Sequence, residues 1–253
     1  MSINLQYNNL TDINKNKIEY IKSSISYFLK LALKGKDYSE FLHTVDIIED
    51  GDDSLNFRFL EGRAGYDRYN KKIVLTNIKN YKELDLCIYH EVSHLNFTIN
   101  NQIRLENLLQ EIGYEFLNEY YAFYEPVSYN LNLKSNEEWV LSIIKNEVKN
   151  YTNIIRMLKN RCDDMNDIIR DIELDEELQD KVNSYYENIE NTKYYLLARS
   201  VASVNINLQK LNISIFGDEY FDNIISYINN EIDFKNINNK NCEEIGKLIK
   251  RIY

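Results

Sequence analysis

Two of the chain's three histidines stand four residues apart in Tyr89-His90-Glu91-Val92-Ser93-His94, a His-Glu-x-x-His pattern. Residues at that spacing share one face of a helix, so both imidazoles can close on a single ion about 2.0–2.1 Å from each. The surrounding segment reads as such a helix, from about Lys82 to Phe97, with Leu84, Cys87, Ile88, Val92 and Leu95 as its apolar contacts. Histidines in that setting need partners to offset desolvation. Two hydrogen-bonded core histidines would leave the same spacing. With so few histidines, however, chance places the full pattern about once in a few hundred such chains.

The pattern carries chemistry beyond ligation. Glu91 turns aside from the histidine pair, toward where water on the ion would sit. A bound zinc lowers the pKa of such water to about 7, and a nearby carboxylate can take its proton as it attacks a carbonyl. Catalytic zinc usually has three protein ligands and one open position. Glu111, Glu115 and Glu119 follow at four-residue intervals on a downstream helix, any of them able to supply the third. Glu119 is preferred, because Ala122 one turn later lets the helix approach closely. Glu115, Glu111 and His43 are the alternatives, with Cys87 a more distant one. Tyr121 or Tyr124 could place a phenol where negative charge develops on a substrate carbonyl, although 21 tyrosines make that choice weakly constrained.

Periodicity fixes the remaining organisation. Ile18, Ile21, Ile25, Phe28, Leu29 and Ala32 form the apolar stripe of a helix ending at Lys34-Gly35. Thr44–Ile48 and 55–60 are β-prone around Glu49-Asp50-Gly51-Asp52-Asp53, and predict an antiparallel hairpin. A glycine-bearing turn over Glu61 to Asn70 leads to a further strand, Lys72–Thr76. Arg104 to Tyr124 reads as a helix interrupted by Gly113 and closed by the sole proline, Pro126. From the capping box Ser135-Asn136-Glu137-Glu138 onward only helices are expected, near 163–172, 175–209, 218–231 and 241–252. The reading is α+β, with domains at 1–129 and 130–253.

Bulk properties narrow the function classes. A net charge of −10 opposes a nucleic-acid grip, which needs a basic face. Cys87, Cys162 and Cys242 form no CxxC pair, so a reduced, cytoplasmic setting is expected. Neither a secretory leader nor a membrane-spanning run is evident.

With these residues in place, the chain resembles the zincin metallopeptidases with a glutamate third ligand, among them the ImmA/IrrE-type proteins. The likeness covers about residues 40–125: a strand at Lys72–Thr76, the HEVSH helix, and Glu119-Tyr120-Tyr121-Ala122 matching an E-x-x-A element. Phe123 replaces the family's frequent asparagine, and Ser93 its usual glycine. The resemblance implies a zincin-like fold, a small antiparallel or mixed sheet packed on the HExxH helix. It implies one Zn2+ per chain on His90, His94 and Glu119, with Glu91 as general base. It also implies an extended substrate along the strand before the metal helix, here Ile73, Val74 and Leu75, an exposed edge being able to pair with a peptide. Members often cleave or antagonise a repressor, commonly on mobile elements. The expected partner is a peptide or protein substrate, with neither nucleic acid nor membrane. Two other classes compete: a catalytically silent binding or sensor protein acting through the helical half, and hydrolysis of an ester or phosphate, for which no Arg or Lys clamp is evident around HEVSH although Arg63 and Arg68 are not far in sequence.

Overall fold

The computed structural model describes residues 6–9, 15–48, 64–76, 81–129, 148–153, 155–157, 159–160, 163–164, 166, 176–213 and 217–250. The chain divides into two compact units whose segments interleave. One comprises Met1–Arg104, Tyr121–Asn130 and Asp233–Asn238; the other comprises Leu105–Tyr120, Leu131–Ile232 and Asn239–Tyr253. The described elements form a small mixed sheet followed by helices, an α+β architecture with a helical C-terminal half.

The first unit holds the sheet. Across its width lie β1 (Gln6–Asn9), β2 (Thr44–Ile48), β4 (Lys72–Thr76) and β3 (Ala64–Asp67). β1, β2 and β4 run parallel, and β3 pairs antiparallel with β4. A parallel pair needs a crossover, and α1 (Lys15–Leu33) supplies it between β1 and β2. The register sets Val45 beside Ile73 and Ile47 beside Leu75, so these apolar side chains share one face of the pleat. They pack with Ile21, Ile25 and Leu29 of α1 and with Leu84, Ile88 and Val92 of α2 (Tyr81–Asn100). Truncating one of the buried leucines or isoleucines to alanine costs about 2–5 kcal/mol. On the other face, the Asp46 carboxylate accepts from Asn8 Nδ2 at 2.8 Å and from Lys72 Nζ at 3.0 Å.

The helix bearing the histidines is anchored from α1. Tyr20 Oη and Ser24 Oγ donate to the two Asp85 oxygens at 2.7 and 2.8 Å. One turn on, Phe28 stacks on Tyr89 with centroids 4.8 Å apart. Polar and aromatic contacts thus fix α2 in rotation as well as position.

Several sequence expectations need correction. β2 has parallel partners on both sides, so it is not half of an antiparallel hairpin; the other half, at 55–60, lies outside the described residues. The expected turn from Glu61 to Asn70 contains β3, and Gly65 is a buried strand residue opposite Val74. The turn itself is shorter and is organised by Asp67, whose Oδ1 accepts from the N–H groups of Tyr69 and Asn70 at 3.1 and 3.0 Å. Pro126 does not close the following helix. It lies inside α3 (Leu108–Tyr129), close enough to the end that only one further residue pair follows before the terminal tyrosine. The capping box at 135–138 lies outside the described residues.

The second unit is helical. α4 (Glu176–Leu211), α5 (Glu219–Glu231) and α6 (Asn239–Lys250) match the stretches expected from periodicity. Asp218 caps α5 by accepting from Phe221 N at 3.1 Å. Two glycines let α3 and α6 touch backbone to backbone. A Cβ at Gly113 would lie 1.8 Å from Cys242 O, and one at Gly246 would lie 2.1 Å from Leu109 O. The missing side chain at Gly113 is therefore a packing requirement, which offsets its helix-propensity cost of about 1 kcal/mol.

Candidate metal centre

His90 and His94 project from α2, and α3 is continuous from Tyr120 into Tyr121, so Glu119 rides on the same helix as Ala122 and Phe123. One nitrogen of each histidine and a Glu119 carboxylate oxygen all lie within 4.8 Å of one another, and this group could hold a metal ion. The two Nε2 atoms are 3.1 Å apart, with the rings perpendicular. Helical spacing explains the histidine pair, and the fully buried Ala122 leaves room for it beside α3.

Contacts around the pair set the ring orientations. His90 Nδ1 lies 3.0 Å from Ala122 O. A carbonyl only accepts, so Nδ1 carries the hydrogen and the neutral ring presents the Nε2 lone pair toward His94. Phe123 packs against the same imidazole with centroids 4.5 Å apart. His94 is buried, and its backbone carbonyl accepts from Thr98 Oγ1 at 2.9 Å.

Glu119 is half-buried as a residue, but its Oε2 is enclosed. Burial pushes its carboxyl up to about 8, and the nearby Glu115 carboxylate pushes in the same direction. A cation among the three donors would reverse that balance, because coordination favours the charged carboxylate. Donor chemistry and spacing therefore fit a divalent ion. Glu91 stands next to His90 on α2 and keeps only 5 % of its surface exposed.

The other sequence candidates lie elsewhere. Glu111 and Glu115 share α3 with Glu119 but face solvent, and His43 is exposed at the entry to β2. Neither these residues nor the half-buried Cys87 belong to the ligand group found among the described residues. The Tyr121 phenol accepts from Asn96 Nδ2 at 2.8 Å and packs on Phe97 and Phe234. It also bonds the Glu125 carboxyl, which burial raises while Lys34 and the Tyr121 and Tyr89 phenols hold it down. Tyr121 is thus built into a polar network of the first unit. Tyr124 is half-buried on α3. Arg63 lies outside the described residues, and Arg68 is exposed with its guanidinium 4.9 Å from the Tyr69 ring centre.

The substrate-edge assignment of Ile73, Val74 and Leu75 is corrected by the sheet order. β4 is paired on both sides, by β2 and β3, and Ile73 and Leu75 are fully buried. It offers no free row of backbone groups. Among the described residues β3 is the edge on that side, and sequence reasoning missed it because a short Ala-Gly-Tyr-Asp segment carries little β-propensity.

His90 Nδ1, Ala122 O and Phe123 had no sequence signal beyond the departure at 123, since a backbone carbonyl has no side-chain identity to read. No helix among the described residues is long and apolar enough to cross a membrane. No protein-family model matches this chain, nor does any curated protein or solved structure.

Proposed function

We propose that the chain is a zinc-dependent metallopeptidase of the zincin type, similar to the ImmA/IrrE-type proteins, that hydrolyses a peptide bond. The observation that carries this reading is the convergence of His90, His94 and Glu119 within 4.8 Å, with Glu91 adjacent on the same helix. Zinc is the metal of choice for two imidazoles and a carboxylate. Two nitrogens on a tetrahedral zinc stand about 3.3–3.4 Å apart, from Zn–N bonds of about 2.0–2.1 Å; the two Nε2 atoms here stand 3.1 Å apart.

When bound, zinc supplies a Lewis acid that polarises a carbonyl and lowers the pKa of water to about 7. The chain does the rest. His90 and His94 present neutral nitrogens, Glu119 supplies one negative charge, and the Ala122 carbonyl keeps the His90 proton on Nδ1. Glu91 takes the proton of the attacking water and passes it to the departing amine. The test is Glu91→Gln, assayed by digestion of a peptide library and by zinc content. The expected result is full zinc occupancy with turnover reduced about 10²–10⁴-fold. Full activity in that variant contradicts the assigned base.

One observation favours a second reading, a zincin-like binding or sensor protein in which the metal is structural. Glu91 is 5 % exposed, and a general base must reach water. On this reading no peptide in the library is cut, and the metal's coordination shell lacks an exchangeable water.

A further inference from the structure

The carbonyl that orients His90 is one whose usual helical donor, the N–H four residues on, is missing from α3. In an α-helix the C=O of residue i accepts from the N–H of residue i+4, so Ala122 O is matched with residue 126. That residue is Pro126, the chain's sole proline, and it has no N–H. α3 continues to Tyr129, so Ala122 is not among the last four residues, whose carbonyls any helix leaves over. With an ordinary residue at 126, Ala122 O would be engaged within the helix. Instead it lies 3.0 Å from His90 Nδ1.

We propose that Pro126 is a positioning residue for the metal centre: by withholding a backbone donor it reserves Ala122 O for the His90 Nδ1–H. That bond holds the imidazole in one tautomer and ring orientation, with the Nε2 lone pair directed at His94 Nε2. The inference rests on the metal-centre reading for its purpose, but the arrangement it describes belongs to the chain's own residues. It also accounts for a proline at a position where the helix is otherwise weakened, since a ring there crowds the carbonyl four residues back and removes one helical hydrogen bond.

Two variants of the full chain test it. Pro126→Ala restores an N–H that competes for Ala122 O. An ester analogue, with lactic acid as unit 126, removes the proline ring yet still lacks the N–H. Zinc affinity is measured by competition with a chromophoric chelator, the site's symmetry by the visible spectrum of bound Co2+, and the His90 tautomer by ¹⁵N imidazole NMR without metal. Pro126→Ala is expected to bind zinc about 10–100-fold more weakly, as changes to a ligand's hydrogen-bond partner do. Its melting temperature should hold or rise, and its His90 should lose the single Nδ1–H form. The ester analogue should match the wild type in affinity and tautomer.

Wild-type affinity and an unchanged Nδ1–H signal in Pro126→Ala would overturn the proposal. So would an ester analogue that loses affinity as the alanine variant does, because the ring rather than the missing donor would then matter; this comparison also decides the issue if Pro126→Ala does not fold. Should the wild type itself bind no zinc, the metal-centre reading fails. The metal-free tautomer comparison would then still judge the role of Pro126.

Discussion

Glu119 and Tyr120 are neighbours on α3, and each carries oxygen into a polar cluster of a different kind. Around Tyr120 the partners are amides. Asn205 Nδ2 donates to Tyr120 Oη at 2.6 Å and to Asn229 Oδ1 at 2.9 Å, while Asn229 Nδ2 returns a bond to Asn205 Oδ1 at 3.1 Å. Donors and acceptors match, no group titrates near neutrality, and the cluster serves packing specificity. Around Glu119 the partners are two imidazoles, and the atoms brought together are those that carry lone pairs in the metal-binding protonation state. The first arrangement is satisfied by amide and phenol groups of the protein, whereas the second could hold a cation. Burial alone therefore does not mark a site; the kind of polar atom that converges does.

That contrast breaks most sharply at the histidines. His94→Ala should reduce zinc affinity by roughly 10³-fold or more, about a third of the apparent 10–16 kcal/mol of a well-built zinc site, in a chelator competition. Asn205→Leu should leave zinc affinity unchanged and instead lower unfolding stability by about 1–3 kcal/mol, since the buried Tyr120 hydroxyl loses its amide partner. Zinc affinity that fell with Asn205→Leu would erase the distinction between the two clusters. Gly113→Ala should cost a similar about 1–3 kcal/mol in urea unfolding, because its Cβ would meet the Cys242 carbonyl at 1.8 Å and α6 must shift. A neutral or stabilising result would show that the α3–α6 crossing is looser than described.

The smallest effect concerns thiols. Burial pushes the Cys242 thiol up to about 12, whereas Cys87 is half-buried. At pH 8 an alkylating reagent should modify Cys87 well before Cys242, and Cys242 should react only as the chain unfolds, as peptide mass mapping can follow. Equal rates at the two positions would place Cys242 outside the packed crossing.

What could be read from the chain follows from how local each signal is. HEVSH was legible because four-residue spacing and residue identity carry it, and the apolar positions around it name the helix. Glu111, Glu115 and Glu119 were indistinguishable by spacing, since all three lie along one line of α3. Only packing exposes the first two and buries an oxygen of the third. β1 was missed because Gln6-Tyr7-Asn8-Asn9 has no β-branched residue, and its strand character comes from pairing with β2 far along the chain. The placement of β4 between β2 and β3 is likewise a long-range fact, which is why Ile73–Leu75 looked like an edge. By the usual rule Pro126 reads as a terminator. The rule failed where the lost helical bond has a substitute in His90, which no local pattern announces.

Whether His90, His94 and Glu119 share one metal ion is decided by the metal content of the purified chain together with X-ray absorption at the zinc edge. One zinc per chain is expected, with two imidazole nitrogens, at least one carboxylate oxygen and no sulfur within bonding distance. Zinc absent after equilibration with micromolar metal, or held without imidazole, would contradict it.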